Sequence, residues 1–230
     1  MKKSTIKNYL LLIVASFCIS ATFTSCLDDD DNDSGYDTAT MTTEEVNAYM
    51  AKVTGNYEGT LKYFYIKGQK TLADSIDVTF TVNSDKTIEV KNVADSLWNV
   101  YLNETNNNVQ AALKKATTAN TMLISMNSFA QTTDSKGSVT EQWFYAVPKN
   151  NKYEFQYTNG EYNWELCANF MTIYNEYPYQ YPSMGMYNDS KRSLAIVMFF
   201  KNMTVNSTIQ QLDYVSQFTL SGNKTFAIGN

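Results

Sequence analysis

Acid–base and nucleophilic chemistry needs few residue types, and this chain of 230 residues holds them sparsely. It contains no histidine, which removes Ser-His-Asp and Cys-His nucleophile pairs, HExxH zinc sites and histidine-ligated haem. Among the carboxylates, Glu161 and Glu165 lie close in sequence, the kind of pair a carboxylate-dependent hydrolase sets across a glycosidic bond. Nearness along the chain does not define such a site, because every soluble protein carries acid pairs, and no catalytic residue is assigned. Asp30, Asn32, Ser34 and Gly35 open like a calcium loop, but its twelfth position is Met41 in place of the bidentate Glu, so no metal site is expected. Cys167 sits in a strand-like alternation and reads as a small apolar filler. No cofactor is expected.

The remaining chemistry is that of contact. The stretch EYNWELCANFMTIYNEYPYQYPSMGMY, from Glu161 to Tyr187, concentrates aromatic rings. Tyr162, Trp164 and Phe170 alternate and read as core, whereas Tyr174, Tyr177, Tyr179, Tyr181 and Tyr187 follow in a loop stiffened by Pro178 and Pro182. Tyrosines on a loop offer broad contact area at low entropic cost. These five are the candidate ligand-binding residues, for a glycan or a protein partner.

Cys26 has a different chemistry. Ahead of it stand Lys2, Lys3 and Lys7, the apolar run YLLLIVASF and small residues around Ala21, the order of a secretory signal peptide. The run is too short to span a bilayer, which takes about 20 residues. Ser25-Cys26 resembles the lipidation site of bacterial lipoproteins, in which Cys26 becomes the acylated first residue; Phe23 stands where Leu is usual. Asp28 to Asp31 are similar to the acidic signal that carries Bacteroidetes lipoproteins to the outer face of the outer membrane. They also form a self-repelling, extended linker. The expected plan is a signal peptide over 1–25, an acidic lipidated tether over 26–41 and one β-rich domain over 42–230, anchored at the cell exterior. The tripeptides DTA, DSI and DSL, beginning at Asp37, Asp74 and Asp95, resemble Bacteroides O-glycosylation acceptors, with Thr38 in the tether the most accessible.

The formal net charge is −5, and its acidity lies in the tether and the start of the domain, since residues 26–51 hold eight acids and no Lys or Arg. From Lys52 onward the chain is electrically balanced and carries one arginine, Arg192. No nucleic-acid partner is expected, because such binding needs a cationic face to displace counterions.

The elements that must position these residues are mostly strands. Thr42 to Glu45 spells a capping box, with Val46, Tyr49, Met50 and Val53 at helical spacing behind it. Period-2 alternation follows: Tyr57, Leu61, Tyr63 and Tyr65 share a face, as do Ile76, Val78, Phe80 and Val82, and TIEVKNV continues the pattern after an NSDK turn. NNNVQAALKKA reads as one inserted helix through Val109, Ala112, Leu113 and Ala116. Strands resume at MLISMNSF, VTEQWFYAV and KYEFQY, and Asn159-Gly160 marks a tight hairpin. SLAIVMFF, continuously apolar, should be the most buried strand, and DYVSQFTLSG with TFAI closes the chain. About ten strands at hairpin spacing predict an antiparallel barrel or sandwich with a short N-terminal helix and one inserted helix.

GNYEGTLKYFY, DSIDVTFTVNSDKTIEVKNV and VQAALKKA, with YVSQFTLSG more weakly, resemble in order a family of Bacteroides lipoproteins known as domain of unknown function 4840, over about Val53 to Ala116. That family has no assigned activity or site residues to transfer. GNYEG is also similar to the opening strand of lipocalin-like barrels, which implies a carrier of a small apolar ligand, although a helix after the third strand is not a lipocalin feature. The sequence reads as a non-catalytic binding or interaction module, with the carrier and the hydrolase as the other classes.

Overall fold

A computed structural model describes residues 36–102, 107–176 and 179–225. The signal segment, Cys26, the aspartates from Asp28 to Asp31, Tyr177 and most of TFAI lie outside these residues.

The alternating segments pair as their periods require. The strands are β1 (Tyr36–Thr40), β2 (Gly55–Lys67), β3 (Lys70–Val82), β4 (Thr87–Ala94), β5 (Ala119–Asp134), β6 (Val139–Pro148), β7 (Lys152–Asn159), β8 (Tyr162–Met171), β9 (Ile173–Glu176), β10 (Tyr179–Pro182), β11 (Met184–Asn188), β12 (Ser193–Val205) and β13 (Thr208–Lys224). The helices are α1 (Thr43–Val53) and α2 (Asn107–Lys114), with a 3-10 helix over Asp95–Tyr101.

The pairing is antiparallel throughout and closes into a ring: β2, β3, β4, β5, β6, β11, β12 and β13 follow one another, and β13 returns to β2. The fold is therefore mainly β, and the ring makes it a barrel. One strand is shared. The first part of β12, Ser193 to Val197, pairs with β11, and Phe199 to Val205 pairs with β8, which carries β7 outward. The changeover coincides with a register shift between Phe200 and Asn202, an irregularity of the kind that re-aims side chains.

Local sequence explains the register. On β4, Ile88, Val90 and Val93 are all buried although their spacing is uneven. Asn92 takes a positive φ of 63°, and the shift between Val90 and Val93 turns the last valine back inward. Where β2 meets β13, Gly59 faces Gly222. A Cβ on Gly59 would lie 1.9 Å from the Ser221 carbonyl oxygen, and one on Gly222 would lie 2.6 Å from the Phe80 ring, which stacks on Tyr57 with centroids 4.8 Å apart, so only glycine fits at either position.

Both helices close the interior. Thr42 caps α1: its N–H donates to Glu45 Oε2 at 2.7 Å, and the Glu45 N–H donates to Thr42 Oγ1 at 3.3 Å. The buried face of α1, Val46, Tyr49, Met50 and Val53, brings Tyr49 edge-on to Phe129 and Phe144. From the other side the 3-10 helix drives Trp98, wholly buried, among Tyr153, Phe200 and Phe218 at centroid distances of 5.4, 5.9 and 5.6 Å. Asp95 anchors that helix by accepting from Asn120 Nδ2 at 2.6 Å and from Thr118 Oγ1. The Tyr101 hydroxyl donates to the Phe64 carbonyl at 2.8 Å. Among the described residues, buried side chains pack this interior.

Two readings of the sequence change. The end of the supposed tether is folded: Tyr36 to Thr40 pair with β5, and Met41 is buried. The tyrosine-rich stretch is not a loop, because Ile173 to Glu176 and Tyr179 to Pro182 pair as a separate hairpin.

Candidate functional site

The β9–β10 hairpin lies on the outside of the barrel. Along β12, Ile196, Met198 and Phe200 belong to the core, so alternation turns Phe199 to the outer face. Phe199 is nonetheless only 2% exposed, because Tyr174 and Tyr181 cover it, their ring centroids 5.5 and 6.3 Å away and 6.0 Å from each other. Ser183 pins the arrangement. Its hydroxyl donates to the Met171 carbonyl at 2.6 Å and accepts from the Phe199 N–H at 3.1 Å, while its own N–H donates to the Thr172 carbonyl at 2.7 Å. The root of the hairpin is thus tied to β8 and β12 at once.

Of the candidate tyrosines, Tyr177 lies outside the described residues, and among the others Tyr174 and Tyr181 come together while Tyr187 sits on a different element. Tyr174 and Tyr181 form the half-buried pair just described, and Tyr179 pairs with Glu176 in the hairpin. Tyr187 belongs to the barrel strand β11, opposite Leu194, and packs against the core; burial raises its phenol pKa, with Asp189 adding to the effect.

Beside the hairpin root runs an open groove of about 430 Å³ that sequence reasoning did not find. Asparagine amides line it: Asn150 and Asn151 from the turn before β7, Asn169 from β8 and Asn202 from β12. Asn169 Nδ2 donates to Asn202 Oδ1 at 2.8 Å, the Cys167 thiol contacts Asn169 Oδ1 at 3.5 Å, and the Thr172 hydroxyl links to Asn151 Oδ1 at 3.5 Å. Lys152 and Lys201 stand at the rim with Ile209, which is 56% exposed. Asn150 and Asn151 both hold φ near +59°, a left-handed turn that asparagine tolerates. Burial raises the pKa of the Cys167 thiol, so the groove holds a neutral thiol and not a nucleophilic thiolate. Asn169 and Asn202 are far apart in sequence and lie in otherwise apolar strands, so their one signal was an asparagine interrupting each run, in ANF and in FKNM.

A second open groove, about 580 Å³, lies on the outer face of β2, β3 and β13. Glu58 and Asp77 face it diagonally across the β2–β3 pair, and both are exposed. Glu161 and Glu165 are exposed as well, at and after the β7–β8 turn. A general acid needs a carboxyl held protonated by an apolar setting, and none of these four has one. Among the described residues, no three of His, Cys, Asp and Glu come together to hold a metal ion.

Tyr162 departs from the core role its alternation predicts. Trp164 and Phe170 are buried, but Tyr162 is 67% exposed, because β8 runs past the part of the sheet that α2 and the 3-10 helix cover. Thr38 is exposed on β1, as are its neighbours Asp37 and Ala39.

Fold and surface together define an antiparallel β-barrel with a filled interior and a polar groove beside an external aromatic hairpin. The chain matches, over residues 52–205, the family described as Domain of unknown function (DUF4840), and it belongs to that family. The matched span runs from the last turn of α1 to the end of β12, leaving the closing strand β13 beyond it. No curated protein matches the chain. Among the described residues, no helix is long and apolar enough to cross a membrane.

Proposed function

We propose that this protein is a non-catalytic binding module, exported and acylated at Cys26, displayed on the outer face of the outer membrane, and holding a glycan in the asparagine-lined groove. The observation that carries the reading is the amide array of Asn151, Asn169 and Asn202 on the outer face of a barrel whose interior is filled with rings. An amide offers donors and an acceptor within one plane, which matches neighbouring sugar hydroxyls that both give and accept protons. A few convergent polar groups beside apolar surface is the composition of ligand sites in general. The packed interior favours surface binding over carriage of an apolar ligand. The exposed carboxylates favour binding over hydrolysis.

The anchor reading rests on the apolar leader before Cys26 and the aspartates after it. The fold is compatible with it, since β1 leads the chain out of the barrel beside the β5–β6 turn. Thr38 lies on that exit strand with all three residues of its DTA tripeptide exposed, which supports it as a glycosylated position.

A glycan array probed with the detergent-solubilised protein tests the binding reading. The wild type should give hits that the Asn169→Ala/Asn202→Ala variant loses while its thermal unfolding stays cooperative. An array without hits, or with hits that the double variant keeps, would overturn it.

A further inference from the structure

We propose that the tip of the β7–β8 hairpin is a second carbohydrate subsite, where the exposed ring of Tyr162 stacks on the apolar face of a neutral pyranose. The inference rests on the glycan-binding reading and adds to it a place and a ligand class.

Three rings form a parallel series at this tip. Tyr157 and Trp164 face each other across the β7–β8 pair, with centroids 5.9 Å apart and planes within 11°. Tyr162, two residues before Trp164 on the same face, repeats that geometry at 5.9 Å and 11°. One end of the series is covered. Tyr157 is 8% exposed and Trp164 9%, and the Tyr157 hydroxyl donates to the Ala112 carbonyl at 3.3 Å, fixing the rings against α2. The other end is open, since Tyr162 is 67% exposed and the adjoining turn at Gly160 has no atom within 4 Å of where a Cβ would stand.

A free tyrosine loses rotamer entropy when a ligand immobilises it, but this ring is already set by the indole beneath it, so the cost of binding falls. The size of the platform selects the ligand. A stable protein interface buries about 800 Å² per partner around an apolar centre, and the tip presents one ring amid exposed Thr158, Glu161 and Asn163. One ring with a polar surround fits one sugar ring, whose C–H face meets the π-cloud while its hydroxyls reach the rim.

The placement agrees. Tyr36 pairs with Asp134 at the β5–β6 turn, the end of the barrel where β2 begins and β3 ends. The β7–β8 tip lies at the opposite end, beside the β12–β13 turn, to which it is joined by the Asn206 N–H donating to the Glu165 carbonyl at 2.8 Å. A chain tethered through Tyr36 turns Tyr162 away from its anchor.

Photo-CIDNP, which reads exposed tyrosine rings, and calorimetric titration of the detergent-solubilised full chain with cellohexaose, laminarihexaose and mannohexaose test the inference. At least one hexasaccharide should bind and suppress the Tyr162 signal. Tyr162→Ala should weaken that binding about tenfold, equal to about 1.4 kcal/mol, and Tyr162→Phe should bind like the wild type, since the ring face and not the hydroxyl makes the contact. Thermal unfolding of both variants should match the wild type. Binding by Tyr162→Ala as tight as wild type overturns the subsite; if Asn169→Ala/Asn202→Ala abolishes that same binding, the groove reading stands without it. Failure of all three hexasaccharides to bind the wild type also overturns the subsite, whereas array hits on charged glycans would leave the groove reading intact.

Discussion

Replacing Trp98 by alanine asks whether the barrel interior is a packed core or a site. The indole is wholly buried and lies between the 3-10 helix that carries it and rings from β7, β12 and β13. Losing it forfeits about 2 kcal/mol of transfer free energy. If the surrounding rings hold their places, a cavity on the order of 100 Å³ adds about 2.4 kcal/mol at about 24 cal/mol per Å³. The sum, about 4 kcal/mol, falls within the range of about 3 to 5 kcal/mol for truncating a buried aromatic. In a domain of this size each kcal/mol moves the midpoint by about 2 to 4 °C, so thermal unfolding of Trp98→Ala should shift down by about 8 to 16 °C. The cavity should be dry and lined by rings, so the variant should also acquire affinity for benzene, as engineered apolar cavities do. A shift below about 3 °C, or a wild type that takes up benzene as readily as the variant, would refute the packed interior and revive the carrier reading.

The other predictions concern the anchor, the cap and the glycine contact. Cys26→Ala should move the protein from the membrane fraction to the soluble one and remove the lipid mass from its N-terminus; continued membrane fractionation of an unlipidated wild type would exclude acylation. Hydrogen bonds from the Thr42 backbone, then from Gln131 and the Thr42 hydroxyl, hold the Glu45 carboxyl below its ordinary value of 4.5. The folded-state pKa is the lower of the two, so the cap contributes fully above pH 4.5 and is lost as pH falls through the folded value. Glu45→Gln should therefore show a flatter decline of melting temperature on acidification in that window, and an equal decline would show that the cap does not titrate. Gly59→Ala should destabilise the protein far more than Gly68→Ala. Gly68 has φ of +64° with open space around it and should cost about 1 to 2 kcal/mol, while a Cβ on Gly59 meets backbone; similar denaturation midpoints would contradict the close β2–β13 approach.

Much of the barrel was legible because one of its faces is buried, and burial writes a period of two into the chain. Val78, Phe80 and Val82 show it plainly, and SLAIVMFF reads as central because β12 has pairing partners on both edges. The Thr42–Glu45 cap and the Asn159-Gly160 turn are short-range chemistry and need no tertiary knowledge. Other elements gave no such signal. The 3-10 helix DSLWNVY is too short to show a period, and Trp98 is placed by Asp95, whose partners Thr118 and Asn120 come from β5. Pro178 and Pro182 hide the β9–β10 hairpin as a loop, although its stability comes from covering Phe199. Tyr162 continues an inward alternation beyond the point where the core ends, so the pattern alone assigns it to the wrong environment. The groove was least visible of all, because Asn151 is brought beside Asn169 by the β7–β8 pairing, and Asn169 meets Asn202 through the β8–β12 pairing at the register shift beside Phe200.

Placement of a ligand in the outer groove is reported directly by the side-chain amide protons of asparagine. In a titration of isotope-labelled protein with a glycan identified on the array, followed by NMR, the Nδ2 protons of Asn151, Asn169 and Asn202 should shift with one common dissociation constant while the Trp98 indole signal stays in place. Shifts at Trp98 and the Phe218 ring, with the asparagine amides unmoved, would put the ligand inside the barrel and contradict it.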